Sequence, residues 1–309
     1  MGPLQRIWKP WFLYRPSQIL ARTIKGGAPG RPGERLGTAW GMTLHVDPAR
    51  DIGRSIVTTG VFDLAVSEVL ARLVVPGARM IDAGANAGYM TLLGSVAAGP
   101  SGRVVAFEPH PDLFRMLERN VTEAPGAARL APATLHNAAL GGRDGEAQLL
   151  LPPDFASNDG VARIVTDAAA SDRTVTVRVR RLDDVLEGAA ADVLKLDVEG
   201  HEPQVLAGAS GTLQARRLTH IVFEDHDVAR SEAVRMLRDA GYQLFALGWS
   251  MRRLRLAPLG AGVLSHAYEA PSFVATIDPE AVLRRCQAPG WRVLRPWLGR
   301  PYATAAGGA

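Results

Sequence analysis

The chain has 309 residues, 47% hydrophobic and 21% charged, a composition that belongs to a globular protein of one or two domains with a sizeable apolar core. Its single cysteine, Cys286, excludes an intrachain disulfide framework and any multi-cysteine zinc site, and no metal is expected. The net charge is +4, but nucleic-acid binding asks for clustered cations, so no nucleic-acid partner is expected.

Residues 1–25 mix aromatics with cations: Trp8, Lys9, Trp11, Phe12, Tyr14, Arg15, Arg22 and Lys25. This composition suits a segment that packs onto the domain or covers an acceptor site, and also one lying on a membrane surface, although Pro10 and Pro16 interrupt a long amphipathic helix. It does not read as a secretory signal, and no apolar run reaches transmembrane length, so a cytoplasmic location is expected, with peripheral membrane contact through residues 1–25 as an option. A Gly/Pro-rich stretch over 26–33 then reads as a break. The expected organisation is an extension over 1–39, a domain over 40–285 and a C-terminal tail over 286–309.

From Trp40 the pattern is regular, with a strand expected over 41–46 and a helix over 62–73, where Phe62, Val66, Val69, Leu70 and Leu73 share a face. After Pro76-Gly77, strands and helices alternate. Strands are predicted over 79–83, 103–107, 134–140, 192–197, 219–224 and 242–247, with 273–277 closing the sheet. Helices follow the glycines after 83, begin at Pro111 and near Pro203, and cover 228–240. Segments 148–151 and 175–179 resemble an inserted hairpin-like excursion. Such alternation predicts an α/β fold with a mostly parallel sheet covered on both faces.

Asp82-Ala83-Gly84-Ala85-Asn86-Ala87-Gly88 joins the first of these strands to its helix, at the sheet edge where α/β proteins bind ligands. The next strand ends at Glu108, placed to accept both hydroxyl hydrogens of a ribose. A dinucleotide turn needs a glycine where Asn86 stands, so a phosphate-free nucleoside suits this turn better than NAD. S-Adenosyl-L-methionine meets that description. Its carboxylate can meet N–H groups at the helix start, its ammonium can pair with Asp82, and Asn137 and Ala138 offer an edge contact and space for adenine.

Three segments, Ile81 to Thr91, Ala106 to Pro111 and Leu194 to Glu202 (Leu-Lys-Leu-Asp-Val-Glu-Gly-His-Glu), resemble the FkbM family of methyltransferases. The likeness covers roughly 40–280 and includes the Asn137-Ala138-Ala139-Leu140 and Phe223-Glu224 segments. It implies a class I, Rossmann-like methyltransferase fold with a seven-stranded sheet, S-adenosyl-L-methionine as donor, and O-methylation of a sugar, lipid or polyketide-like acceptor. Over the motif residues it implies a cofactor set of Asp82, Gly84, Asn86, Gly88, Tyr89, Thr91, Glu108, Asn137, Ala138 and Asp197. Two other classes stand beside it: an NAD-dependent oxidoreductase and a cofactor-binding scaffold without catalysis.

The strand end at 194–202 gathers three acids and an imidazole. If the strand continues, Asp197 and Glu199 point to the same side, where a carboxylate can hold the donor's ammonium, orient the acceptor hydroxyl or take its proton. Glu202 reads as a helix-start acid, and Lys195, between leucines, as an ion-pair partner for a neighbouring acid. His226, with Glu224 or Asp225 to orient it, and His201 are the candidate imidazole bases. The basic stretch 249–255 reads as a solvated face.

Overall fold

In the computed structural model, residues 9–14, 33–152, 162–165, 173–261 and 271–296 are described. Residues 26–32 of the expected break and the chain from Trp297 onward lie outside them, as do Trp8, Arg15, Arg22 and Lys25 of the aromatic-cationic segment.

Two short strands open the domain: β1 (Glu34–Gly37) lies antiparallel to β2 (Thr43–Val46). The main sheet then takes β3 (Arg79–Ala83), β4 (Arg103–Phe107), β5 (Ala133–His136), β10 (Ala191–Leu196), β11 (Leu218–Glu224), β12 (Gln243–Ser250), β13 (Arg253–Pro258) and β14 (Ser272–Thr276). Their spatial order is β13-β12-β14-β11-β10-β3-β4-β5. The run from β11 to β5 is parallel, and β14 slots antiparallel between β11 and β12. This is the class I methyltransferase arrangement with an eighth strand added at one edge. β3 and β4 have the predicted bounds.

A second sheet holds β6 (Ala139–Leu140), β7 (Gly145–Leu150), β8 (Arg163–Val165) and β9 (Thr174–Arg180) in the order β6-β9-β7-β8. It realises the predicted excursion, with β7 antiparallel to β9 from Gly145↔Val179 to Leu150↔Thr174. The strand expected over 134–140 is therefore two strands in two sheets. The Asn137 side chain, at the break between them, donates to the carbonyls of Glu108 and Pro109 at 2.8 and 3.1 Å.

Strand alternation divides the core between the two faces of the main sheet. Met80, Val193 and Val222 pack with the helices Leu64–Leu73, Tyr89–Ala98 and Pro279–Cys286; Ile81, Leu194, Ile221 and Phe223 pack with Glu202–Gly208, Ser210–Gln214 and Glu232–Asp239. Helix Leu64–Leu73 starts at Asp63, whose carboxylate accepts from the Val66 N–H at 3.0 Å and satisfies one of the free first-turn donors. Helix Asp51–Thr59 has no counterpart in the sequence reading, because Gly53 and its β-branched residues depress helix propensity. Tertiary packing reverses that preference: a Cβ at Gly53 would lie 2.0 Å from the Asp47 carbonyl oxygen.

Residues 287–296, inside the expected tail, pack on the same core, where Trp291, Val293 and Leu294 are buried. A fully buried ion pair clasps them. Glu68 accepts from Arg72 at 2.6 Å and from the Arg292 and Val293 N–H groups, while Arg72 donates to the carbonyls of Arg285, Ala288 and Gly290. The basic stretch after β12 forms the β12–β13 hairpin, and Trp249 packs against the core and lies 5.7 Å from Trp11. No helix among the described residues is long and apolar enough to cross a membrane.

Candidate active site

Register brings the site together. In the parallel pairing of β3 with β10, Asp82 stands opposite Lys195 and Ala83 opposite Leu196. Beyond both strand ends the chains cross closely: a Cβ on Gly84 (φ +75°) would lie 2.0 Å from the Asp197 carbonyl oxygen, so only glycine fits. Gly88 (φ +88°) likewise packs against Leu117 of helix Pro111–Thr122. Both glycines make room for protein neighbours, and Gly84 also lines the cavity at this edge.

The turn consumes its own donors. The N–H groups of Gly84 and Ala85 donate to the Phe107 carbonyl at 3.0 and 2.9 Å, and that of Gly88 to the Ala85 carbonyl at 2.8 Å. The Asn86 N–H donates to Glu108 at 2.8 Å, and the Ala87 N–H to the Asn86 side chain at 2.6 Å. Five successive amides are thus committed, and the helix-start donors open to an anion are those of the first turn, where Tyr89 and Met90 line the cavity.

A cavity of about 250 Å³ opens at this edge, lined by Gly84, Ala85 and Asn86 of the turn, Glu108 after β4, and Lys195, Asp197 and Glu199 at the end of β10. Ile52 and Phe62, with Leu140, Leu149 and Ile164 of the second sheet, supply apolar walls. A larger cavity of about 730 Å³ adjoins it, bounded by Arg163, Glu202, Asp225, His226 and Arg230. Asp197, Glu199 and Glu224 line both.

The acids at this junction crowd one another. Burial, then repulsion from Asp197, Asp63, Glu199 and Glu202, pushes the Glu224 carboxyl up to about 8. Glu199 is exposed overall, yet desolvation of its carboxyl, followed by repulsion from Asp197 and Glu202, pushes it up to about 7. Glu108 is driven to about 7 by burial, against the lowering effect of N–H donation from His110 and Asn86. Lys195 is raised: the carboxylates of Asp197 and Asp82 outweigh the largest single effect, desolvation, which acts to lower it. No group of three or more His, Cys, Asp or Glu side chains among the described residues is arranged to hold a metal.

The family model described as "Methyltransferase FkbM domain" matches residues 82–244, more than half of the chain. The chain belongs to the FkbM methyltransferase family. With the family and the class I fold goes the donor, S-adenosyl-L-methionine. Among the relatives, the 31-O-demethyl-FK506 methyltransferase FkbM of Streptomyces tacrolimicus is 31% identical over 197 residues, 55% of this chain and 75% of that protein. The hexuronic acid methyltransferase AglP of Haloferax volcanii is 28% identical over 163 residues, 52% of this chain. The chain spans 61% of AglP's length. A solved FkbM methyltransferase from Methylobacillus flagellatus aligns at 18% identity with a TM-score of 0.40, over 64% of this chain and 43% of that one.

Within this FkbM domain the expected donor-site residues fall into two groups. Gly84, Asn86, Tyr89, Glu108 and Asp197 line the smaller cavity; Asp82, Gly88, Thr91, Asn137 and Ala138 stand behind it. Asp82 is fully buried, accepts from the Thr91 hydroxyl at 2.6 Å and sits 3.5 Å from Lys195, so it is not open to the donor's ammonium. Tyr89 turns its hydroxyl inward, accepting from the Trp40 indole N–H at 2.8 Å. Asn137 spends its amide on the Glu108–Pro109 loop instead.

Of the catalytic candidates, Asp197, Glu199 and His201 line the smaller cavity, and His226 only the larger. β10 ends at Leu196, so strand alternation does not align Asp197 with Glu199; Glu199 reaches the cavity from a left-handed turn at φ 53°. His226 is 73% exposed and pairs with Glu224 at 2.9 Å. Burial lowers His201. Glu202 closes its own loop by accepting from the Val198 and Gly200 N–H groups. Glu224, expected as an orienting partner of His226, is marked directly by the rule that ligands gather at strand carboxyl ends. The walls from Ile52, Phe62, Leu149 and Ile164 carried no local signal.

Proposed function

We propose that this protein transfers a methyl group from S-adenosyl-L-methionine to a hydroxyl of a small-molecule acceptor, a sugar, lipid or polyketide-like compound. The observation that carries this reading is the meeting of two cavities at Asp197, Glu199 and Glu224, with the glycine turn and Glu108 on one side only. The residues suit the donor. Glu108 has a buried carboxyl for ribose hydroxyls, the first-turn amides suit its carboxylate, and Asn86 stands where a pyrophosphate would need glycine.

When bound, the donor supplies an electrophilic methyl on a sulfonium. The chain's own work is to orient, dehydrate and move one proton. Asp197, with Lys195 3.4 Å from Oδ2, is a fixed carboxylate that orients the acceptor hydroxyl. Glu224 or Glu199, poised near neutrality, accepts the hydroxyl proton on a carboxylate oxygen as the acceptor oxygen attacks. The apolar walls from Ile52, Phe62 and the second sheet exclude water and hold the reactants at attack distance.

Calorimetry with S-adenosyl-L-methionine, its demethylated product and NAD tests the donor: the first two are expected to bind and NAD not. Release of the demethylated product across a panel of hydroxylated sugars, lipids and macrolides separates an enzyme from a scaffold, and a panel with no release overturns catalysis. We propose that residues 9–14 pack onto the domain, in keeping with the Trp11–Trp249 contact. Co-sedimentation of full-length and truncated protein with anionic vesicles is expected to give equal pelleting; preferential pelleting of the full chain would establish membrane contact.

A further inference from the structure

Lys195 makes more contacts than charge neutralisation requires. It is 5% exposed, and its register partner Asp82 alone would balance its charge. Yet its shortest contact is neither acid: Nζ donates to the Gly84 carbonyl at 2.6 Å and to the Ala83 carbonyl at 3.3 Å, and lies 3.4 Å from Asp197 Oδ2. These bonds fall where the Gly84 backbone passes the Asp197 carbonyl with no room for a Cβ.

The ammonium therefore joins three segments: the end of β3, the turn and the end of β10. Fixing the Gly84 carbonyl fixes the peptide plane that it shares with the Ala85 N–H, which donates to Phe107, and the next amide, Asn86, holds Glu108. One side chain thus links the turn that holds Glu108 to Asp197, both of which line the smaller cavity.

We propose that Lys195 is a positioning residue for methyl transfer: by tying the Gly84 carbonyl to the Asp197 carboxylate, it holds the donor turn and the catalytic strand end in one fixed geometry. This rests on the donor reading above. Its role is geometric and electrostatic, and it exchanges no proton with substrate.

Two variants of the full chain separate this role from a structural one. Lys195→Arg keeps a cation between Asp82 and Asp197, but its planar fork cannot reproduce a single ammonium donating to Gly84. Lys195→Met combined with Asp82→Asn removes the cation and its fully buried partner together, leaving only the part-exposed Asp197 without its cation. Each is followed by thermal unfolding and by calorimetry with S-adenosyl-L-methionine, with Asp82→Asn alone as control. The expected result is a midpoint close to wild type in at least one of the two, with donor affinity at least 10-fold weaker there, while the control loses less than 3-fold. Wild-type affinity in either folded variant overturns the proposal, as does failure of both to fold, which would make Lys195 purely structural. If the wild-type protein binds neither the donor nor its product, the donor reading itself falls.

Discussion

The two sides of the smaller cavity are built on opposite plans. On the donor side, residues 84–88 commit every backbone N–H to a protein acceptor, and two glycines fit against Asp197 and Leu117. On the acceptor side, Asp197, Glu199 and Glu224 stand half-exposed or exposed, crowd one another and carry raised carboxyls at about 7 and 8 in the last two. The first side stores its information in shape, the second in charge. Under the proposed function, the shape-built turn holds the donor and the charge-built rim takes the acceptor's proton.

That contrast breaks most visibly at Gly84. Gly84→Ala adds left-handed strain and a clash with the Asp197 carbonyl, and we expect a loss of about 3 kcal/mol or more, read from the urea midpoint. On the charged side, Asp197→Asn is expected to lower turnover by about 100-fold, on an acceptor the wild type methylates, while the urea midpoint stays near wild type. Unchanged turnover in the folded variant would remove Asp197 from the reaction.

Glu224→Gln is expected to cost about 10-fold in turnover and to alter its pH profile. In the wild type, activity rises with pH as Glu199 and Glu224 lose their protons through about 7 and 8. The variant retains only the lower of the two inflections, and an unaltered profile would exclude Glu224 as the proton acceptor.

The smallest effect is on stability. A carboxyl whose pKa is raised on folding contributes its full stability below the ordinary carboxylate value and loses it as pH rises through the folded one. With Glu108 at about 7 and Glu224 at about 8, the melting temperature is expected to fall between pH 5 and pH 8.5. Glu224→Gln should flatten that decline by a few degrees, at about 2–4 °C per kcal/mol for a chain of this size class. A parallel decline in both proteins would mean that Glu224 ionises without penalty.

Much of the fold was legible because its signals are local. β3 and β4 are short apolar runs between turn residues, and each was read with its observed bounds. β13 escaped because Arg-Leu-Arg-Leu alternation at a sheet edge looks like a solvated basic stretch until β12 pairs with it. β5 and β6 merged into one strand because nothing in 134–140 breaks the pattern except Asn137, whose side chain bonds a loop some 28 residues earlier. In the site, the motifs marked Gly84, Asn86, Glu108, Asp197 and Glu199, all of which line the cavity.

The order of residues in this chain determined the alternating elements, the carboxyl-edge placement of the motifs and the absence of a dinucleotide turn, since each follows from neighbours a few positions apart. Tertiary structure alone decided which motif residues face the cavity and which support it. Asp82 and Asp197 both look like ligand acids in one dimension, but β3–β10 pairing seals Asp82 behind Lys195 and leaves Asp197 at the rim. Burial, close backbone crossing and the repulsion that adds to burial in raising Glu224 arise only when segments distant in the chain, over a hundred residues apart for Lys195 and Gly84, are brought within a few ångströms, and no local pattern encodes that approach.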